Sequence, residues 1–170
     1  MRFPLKSEMP EKHSRSGTFF LSAAVALSLS LLTACAERAA PGDDPRADPR
    51  NLANVALGAR VYGQQCAACH GAKLEGQPNW RLRLANGRLP APPHDDTGHT
   101  WHHPDAVLFA LTRNGLVPPY ASEGYQSDMP AFAGKLSDAE IWAVLAYIKS
   151  HWSRQVLPMR AEMTRNARQP

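Results

Sequence analysis

The chain has little cysteine, little charge of one sign and no long apolar run, and each shortage excludes something. Only three cysteines occur in 170 residues, an odd number too small for a disulfide framework. There is one C-x-x-C pair and no second, which removes the four-thiolate zinc ribbon. The formal net charge is +4. Residues 1–34 contribute four basic side chains (Arg2, Lys6, Lys12, Arg15) against two acids (Glu8, Glu11), leaving 15 basic and 13 acidic residues beyond them. A balance near +2 is too weak for nucleic-acid binding. No apolar stretch reaches the ~20 residues that a membrane-spanning helix needs. The longest, Phe19 to Ala34, has 16.

That apolar stretch follows a polar, basic segment and ends in small residues, the layout of a secretory signal over residues 1–34. Its last residues, Leu32-Thr33-Ala34-Cys35, resemble a bacterial lipoprotein box. There the cysteine is lipid-modified and becomes the first residue of the mature chain. More than one acyl chain at Cys35 would hold the protein at a membrane surface. Cleavage near Ala34 or Ala36 without lipid would instead leave it soluble in the periplasm. Residues 35–50 are charged and broken by proline, and predict a flexible tether.

The pair that remains is Cys66-Ala67-Ala68-Cys69-His70, which is C-x-x-C-H, the attachment signature of c-type haem. Two thiols one helical turn apart can add to the two vinyl groups of one porphyrin edge. The histidine directly after them offers an imidazole nitrogen to iron. A thioredoxin-like redox pair would follow a strand. Here Leu52, Val55, Ala59 and Tyr62 recur at helical spacing and predict a helix running into the cysteines. The 15 prolines and 11 glycines, many between residues 76 and 134, suit a fold whose core is supplemented by a porphyrin.

Iron then needs a sixth ligand or an open site. Met129 stands in Ser127-Asp128-Met129-Pro130-Ala131-Phe132, 59 residues after His70. Its thioether is soft and would raise the reduction potential. Pro130 keeps the preceding residue extended, as a ligand loop requires. The competing donors are His94, His99, His102 and His103, four imidazoles in ten residues. They are expected to serve as caps or hydrogen-bonding groups. As alternatives, one would ligate iron, or together they would bind copper or zinc. His102 and His103 precede a predicted helix over Pro104–Gly115, with proline at its start and glycine at its end. Ser137-Asp138-Ala139-Glu140 is a capping box ahead of Ile141, Val144, Leu145 and Ile148, which predicts a helix over 138–151.

Taken with Gly58, Tyr62, Met129-Pro130 and Val144-Leu145-Ala146-Tyr147-Ile148-Lys149, the haem motif resembles the class I cytochrome c family over residues 51–152. The resemblance implies an all-α fold of three to five short helices around one covalent haem c. It implies that the first and last helices cross, with Gly58 admitting Tyr147. It also implies a proline-segment carbonyl, somewhere in Leu89-Pro90-Ala91-Pro92-Pro93, that accepts the proton of His70. Trp80, Tyr120, Tyr125 and Phe132 are candidates for lining the pocket. The His-rich stretch 98–105 is not general to the family. The tail over 153–170 lies beyond it and is expected to be disordered.

The expected function is single-electron transfer with His70 and Met129 as axial ligands and Cys66 and Cys69 as thioether anchors. The expected partners are redox proteins of the cell envelope, and the chain is expected not to be an enzyme itself, although it could serve as the cytochrome subunit of an oxidoreductase complex. The alternative is a haem-based sensor of small ligands, or a copper-handling module built on His94–His103.

Overall fold

A computed structural model describes residues 43–166. The expected signal segment and Cys35 lie outside these residues. Among these residues five helices form: α1 (Leu52–Gln65), α2 (Ala67–His70), α3 (Asp105–Asn114), α4 (Asp138–Lys149) and α5 (Val156–Asn166). Short 3-10 turns occupy Pro45–Ala47 and Thr100–His102. Among the described residues no strand forms, and Ala133 and Leu136 make an isolated bridge.

Two of the helices begin where a side chain satisfies the backbone. Asn51 caps α1, its side chain accepting from the Asn54 N–H at 3.2 Å. The capping box of α4 is reciprocal: the Ser137 N–H donates to Glu140 Oε2 at 2.8 Å, and the Glu140 N–H donates to Ser137 Oγ at 3.3 Å. Helix α3 ends at Gly115 and starts one residue later than its proline suggested. No side chain caps it, so His102 and His103 do not have the capping role expected of them.

Helix α4 is the centre of the domain, with Ile141 through Ala146 all buried. Helix α1 crosses it at Gly58. A Cβ at that glycine would lie 2.0 Å from the Ala143 carbonyl oxygen and 2.8 Å from Tyr147 Cβ. The crossing expected from Gly58 and Tyr147 is therefore present, with backbone against backbone. The buried face of α1 is Gly58, Val61 and Tyr62. Leu52, expected on that face, is in the first turn and is 78% exposed. Burial along α1 is centred on the close approach at Gly58, and its first turn lies outside that contact.

Two further expectations are corrected. The tail is not disordered: α5 carries Val156, Arg160 and Thr164 as a buried stripe. Nor is the whole of 35–50 a free tether, because Ala47 is fully buried in the core. Charge joins the two segments. Asp105, with no exposed surface, accepts from Lys149 Nζ at 2.7 Å, from Arg160 Nη2 at 2.5 Å and from the Asp44 N–H at 2.8 Å. Asp43 also pairs with Lys149 at 2.8 Å and with Arg160 at 3.1 Å. Two carboxylates and two cations thus balance in the interior, which the desolvation of each charge requires. Burial pushes the Asp105 carboxyl up, and Lys149 and Arg160 pull it back toward ionisation.

Candidate functional site

Helix α1 delivers the cysteines to one turn. The Cys66 N–H closes α1 on Tyr62 O at 2.9 Å, and the His70 N–H donates to Cys66 O at 2.9 Å. Cys66, Cys69 and His70 therefore share the single turn that ends at Gly71. Both thiols are free of disulfide bonds; Cys66 is partly buried and Cys69 exposed. Burial pushes the Cys66 thiol up to about 11. Tyr62 braces the turn by donating its hydroxyl proton to Gly71 O at 2.9 Å.

His70 is buried, and its Nδ1 lies 2.9 Å from the Pro92 carbonyl oxygen. That bond makes Nδ1 the protonated nitrogen and leaves the Nε2 lone pair available to a metal. Burial holds the imidazole below the usual histidine range, with the Pro92 bond opposing it, so the ring stays neutral as a ligand must. The expectation of a proline-segment carbonyl is met, and the geometry selects Pro92 from the five candidate residues. The segment is held against the turn after His70 by several bonds. The Gln77 N–H donates to Ala91 O at 2.9 Å, the Ala91 N–H returns to Gln77 Oε1 at 2.9 Å, and the His94 N–H donates to Leu74 O at 2.8 Å. Gly76, at φ +68°, lies so close to Pro93 that a Cβ would fall 2.4 Å from the Pro93 nitrogen.

The other expected residues are distributed unevenly. Met129 is partly buried in the loop between α3 and α4, and its N–H donates to Ser127 Oγ at 3.0 Å. The chain just beyond it is fixed to the end of α3 by Phe132 N–H on Thr112 O and Ala133 N–H on Arg113 O. Arg88 pairs with Asp128, the neighbour of Met129. Of the four aromatics proposed to line a pocket, Phe132 is buried, Trp80 and Tyr125 are partly exposed and Tyr120 is exposed.

The four histidines do not converge. His94 stacks on His70 and His99 on Trp80, His102 lies tilted against Trp101, and His103 meets His99 edge-on. Among the described residues no group of three or more His, Cys, Asp or Glu is placed to hold a metal ion. The donor set that does fit a bound group is the turn itself: two free thiols, and a neutral imidazole whose Nδ1 is already engaged. This is what covalent haem requires.

The cytochrome c family model matches residues 55–152. The chain belongs to the cytochrome c family. It is a class I c-type cytochrome, an all-α electron carrier whose cofactor is covalently bound haem c. It is 35% identical over 101 residues to a cytochrome c6 of Picosynechococcus sp. (strain ATCC 27264 / PCC 7002 / PR-6), covering 59% of this chain and 75% of that one. A cytochrome c6 of Leptolyngbya boryana is 33% identical over 96 residues, 56% of this chain and 91% of the relative. A thiosulfate dehydrogenase of Stutzerimonas stutzeri (strain A1501) is 29% identical over 104 residues, 61% of this chain and 29% of that protein. No solved structure matches.

The histidine environment sets an acid limit on stability. Burial first, then neighbouring imidazoles, lowers His94 and His103 below the ordinary range, and burial with His102 and Arg81 lowers His99. An unfolded chain takes up these protons near pH 6.5, whereas the folded chain resists until lower pH. Between those limits the unfolded state binds more protons, so stability falls as pH falls. The urea midpoint of the haem-loaded protein is expected to drop between about pH 7 and pH 5. The drop should be smaller in a His99→Gln, His103→Gln double variant. An equal drop in both proteins would remove these rings as the cause.

Proposed function

We propose that this cytochrome is an exported single-electron carrier with one haem, held by thioethers at Cys66 and Cys69 and ligated through His70 and Met129. The observation that carries the reading is the His70–Pro92 hydrogen bond beside the two free thiols, which presents one neutral imidazole nitrogen at a C-x-x-C-H turn. Bound haem supplies the one-electron ferric–ferrous couple. The protein contributes a fixed ligand: Pro92 orients the His70 ring and raises its basicity. Met129 is the proposed second ligand because its loop is partly buried and anchored at both ends, by Ser127 and by the end of α3. With both positions taken, no substrate reaches the metal, so the chain is a carrier and not itself an enzyme. Its similarity to under a third of a thiosulfate dehydrogenase fits a module that also serves as the cytochrome part of larger oxidoreductases. Residues 1–34 are proposed as the export signal and Cys35 as a lipid anchor, which places the domain facing the periplasm with redox proteins of the envelope as partners. Among the described residues no helix is long and apolar enough to cross a membrane.

Spectra of the protein matured with haem test the ligand set. A low-spin reduced spectrum is expected, with a weak far-red ferric band that Met129→Ala abolishes while lowering the reduction potential. A low-spin spectrum that keeps its form in Met129→Ala would assign the sixth ligand to a histidine. Rapid carbon monoxide uptake by the reduced wild type would instead favour a ligand sensor.

A further inference from the structure

Of the four histidines between residues 94 and 103, His94 is the one that reaches the haem-attachment turn. Its ring lies on that of His70, with centroids 4.0 Å apart and planes inclined by 22°. The backbone of this residue and one of its ring nitrogens are engaged. The His94 N–H donates to Leu74 O at 2.8 Å, and its carbonyl accepts from Trp152 Nε1 at 2.9 Å. Its Nδ1 lies 2.8 Å from Thr100 Oγ1, and the Thr100 hydroxyl in turn donates to Pro93 O at 3.4 Å. Both rings of the stack are thus held through Nδ1, His94 at the Thr100 hydroxyl and His70 at the Pro92 carbonyl.

The Pro92 bond leaves His70 free to rock about the Nδ1···O line, because one hydrogen bond fixes a direction and not a plane. A flat ring lying against its face removes that freedom. The stacked ring also bears on charge. Oxidation makes the ligand imidazole more electron-poor, and the negative face of a neutral aromatic ring, polar and polarisable, favours that state over an aliphatic neighbour.

We propose that His94 is a positioning residue for the electron-transfer centre: its ring sets the plane of His70 and holds the reduction potential below the value the centre would have with an aliphatic residue there. This inference rests on His70 being an iron ligand. Replacing the ring should therefore change properties that a merely space-filling residue would not.

The test uses the haem-loaded protein and three variants, read by potentiometric titration and by the low-spin ferric electron paramagnetic resonance signal, which responds to the plane of the axial imidazole. His94→Leu is expected to raise the potential and to shift and broaden the signal. His94→Phe, which restores a flat stacked face, should bring both back toward wild type. Thr100→Val keeps the ring and removes its anchor, and should broaden the signal. If His94→Leu does not load haem, Thr100→Val and His94→Phe decide the matter. An unchanged potential and signal in His94→Leu, or failing that variant an unchanged signal in Thr100→Val, would overturn the proposal. A wild-type protein without a low-spin ferric signal would instead overturn the ligand reading beneath it, so the two failures are distinct.

Discussion

Gly58→Ala is expected to destabilise the fold by about 3 kcal/mol, whereas Gly63→Ala, five residues further along the same helix, should stabilise it by up to ~1 kcal/mol. Both changes improve helix propensity by the same amount, since alanine is favoured over glycine by about 1 kcal/mol in a helix interior. Everything that separates them is tertiary. A Cβ on Gly63 meets nothing within 4 Å. A Cβ on Gly58 meets the Ala143 carbonyl oxygen at 2.0 Å and its carbon at 2.5 Å. Those atoms are backbone in the middle of α4 and cannot rotate away, so the two helices must separate. Separation loosens the contact that carries Tyr62 against Tyr147, whose rings lie 5.3 Å apart. It also moves α1, which ends at Cys66 and so carries the cofactor turn. Thermal unfolding of the two variants side by side measures this, and a drop of roughly 10 °C is expected for Gly58→Ala. Equal melting temperatures would mean that the helices are not in the contact described.

That crossing was expected from the resemblance to the class I cytochrome c family, which placed Gly58 opposite Tyr147, and its physical reason is the Cβ that Gly58 lacks. The capping box at Ser137–Glu140 was legible in the residues themselves: both of its bonds are local, and local bonds leave local signatures. The haem-attachment turn belongs with it, since its spacing is set by the porphyrin and not by the rest of the fold. The choice among Leu89, Pro90, Ala91, Pro92 and Pro93 was different in kind. It depends on how the segment docks against Leu74, Gly76 and Gln77, and nothing local to the prolines encodes that docking. The stacking of His94 on His70 was hidden for the same reason, although the run of histidines marked the region.

The tail was misread for a more instructive reason. Apolar periodicity finds a helix whose buried stripe is apolar. The stripe of α5 is Val156, Arg160 and Thr164, correctly spaced at four-residue steps but mostly polar. The role of Asp105 is hidden in the complementary way. As the first residue of α3 it has the look of an acid placed for the helix dipole. Its observed role is to sit fully buried between two cations. A charge–charge contact between positions 55 residues apart has no signature in either segment alone.

Arg160→Ala is accordingly expected to cost about 3–5 kcal/mol, the range for removing one partner of a buried ion pair. Arg160 is 1% exposed and reaches four acceptors: Asp105, Asp43, and the carbonyls of Trp101 and His103. Its guanidinium also lies over the Trp152 ring at 5.0 Å from the centroid. Without it, Asp105 keeps only Lys149 and the Asp44 N–H, and two carbonyls lose their donor. Arg160→Lys should be almost as harmful, because an ammonium cannot span the same four acceptors. Arg113→Ala is the contrasting case. Its pair with Asp138 is 45% and 64% exposed, and its loss should cost well under 1 kcal/mol. Urea unfolding of the three variants at neutral pH separates these expectations. Ending the chain after Ser153 should match Arg160→Ala or exceed it, because the truncation also removes the burial of Val156. If the truncated protein were instead as stable as the whole chain, α5 would be an ornament on the cytochrome domain. The expected loss makes it part of the domain: the family match ends at residue 152, but the charge balance of the interior is completed only at Arg160.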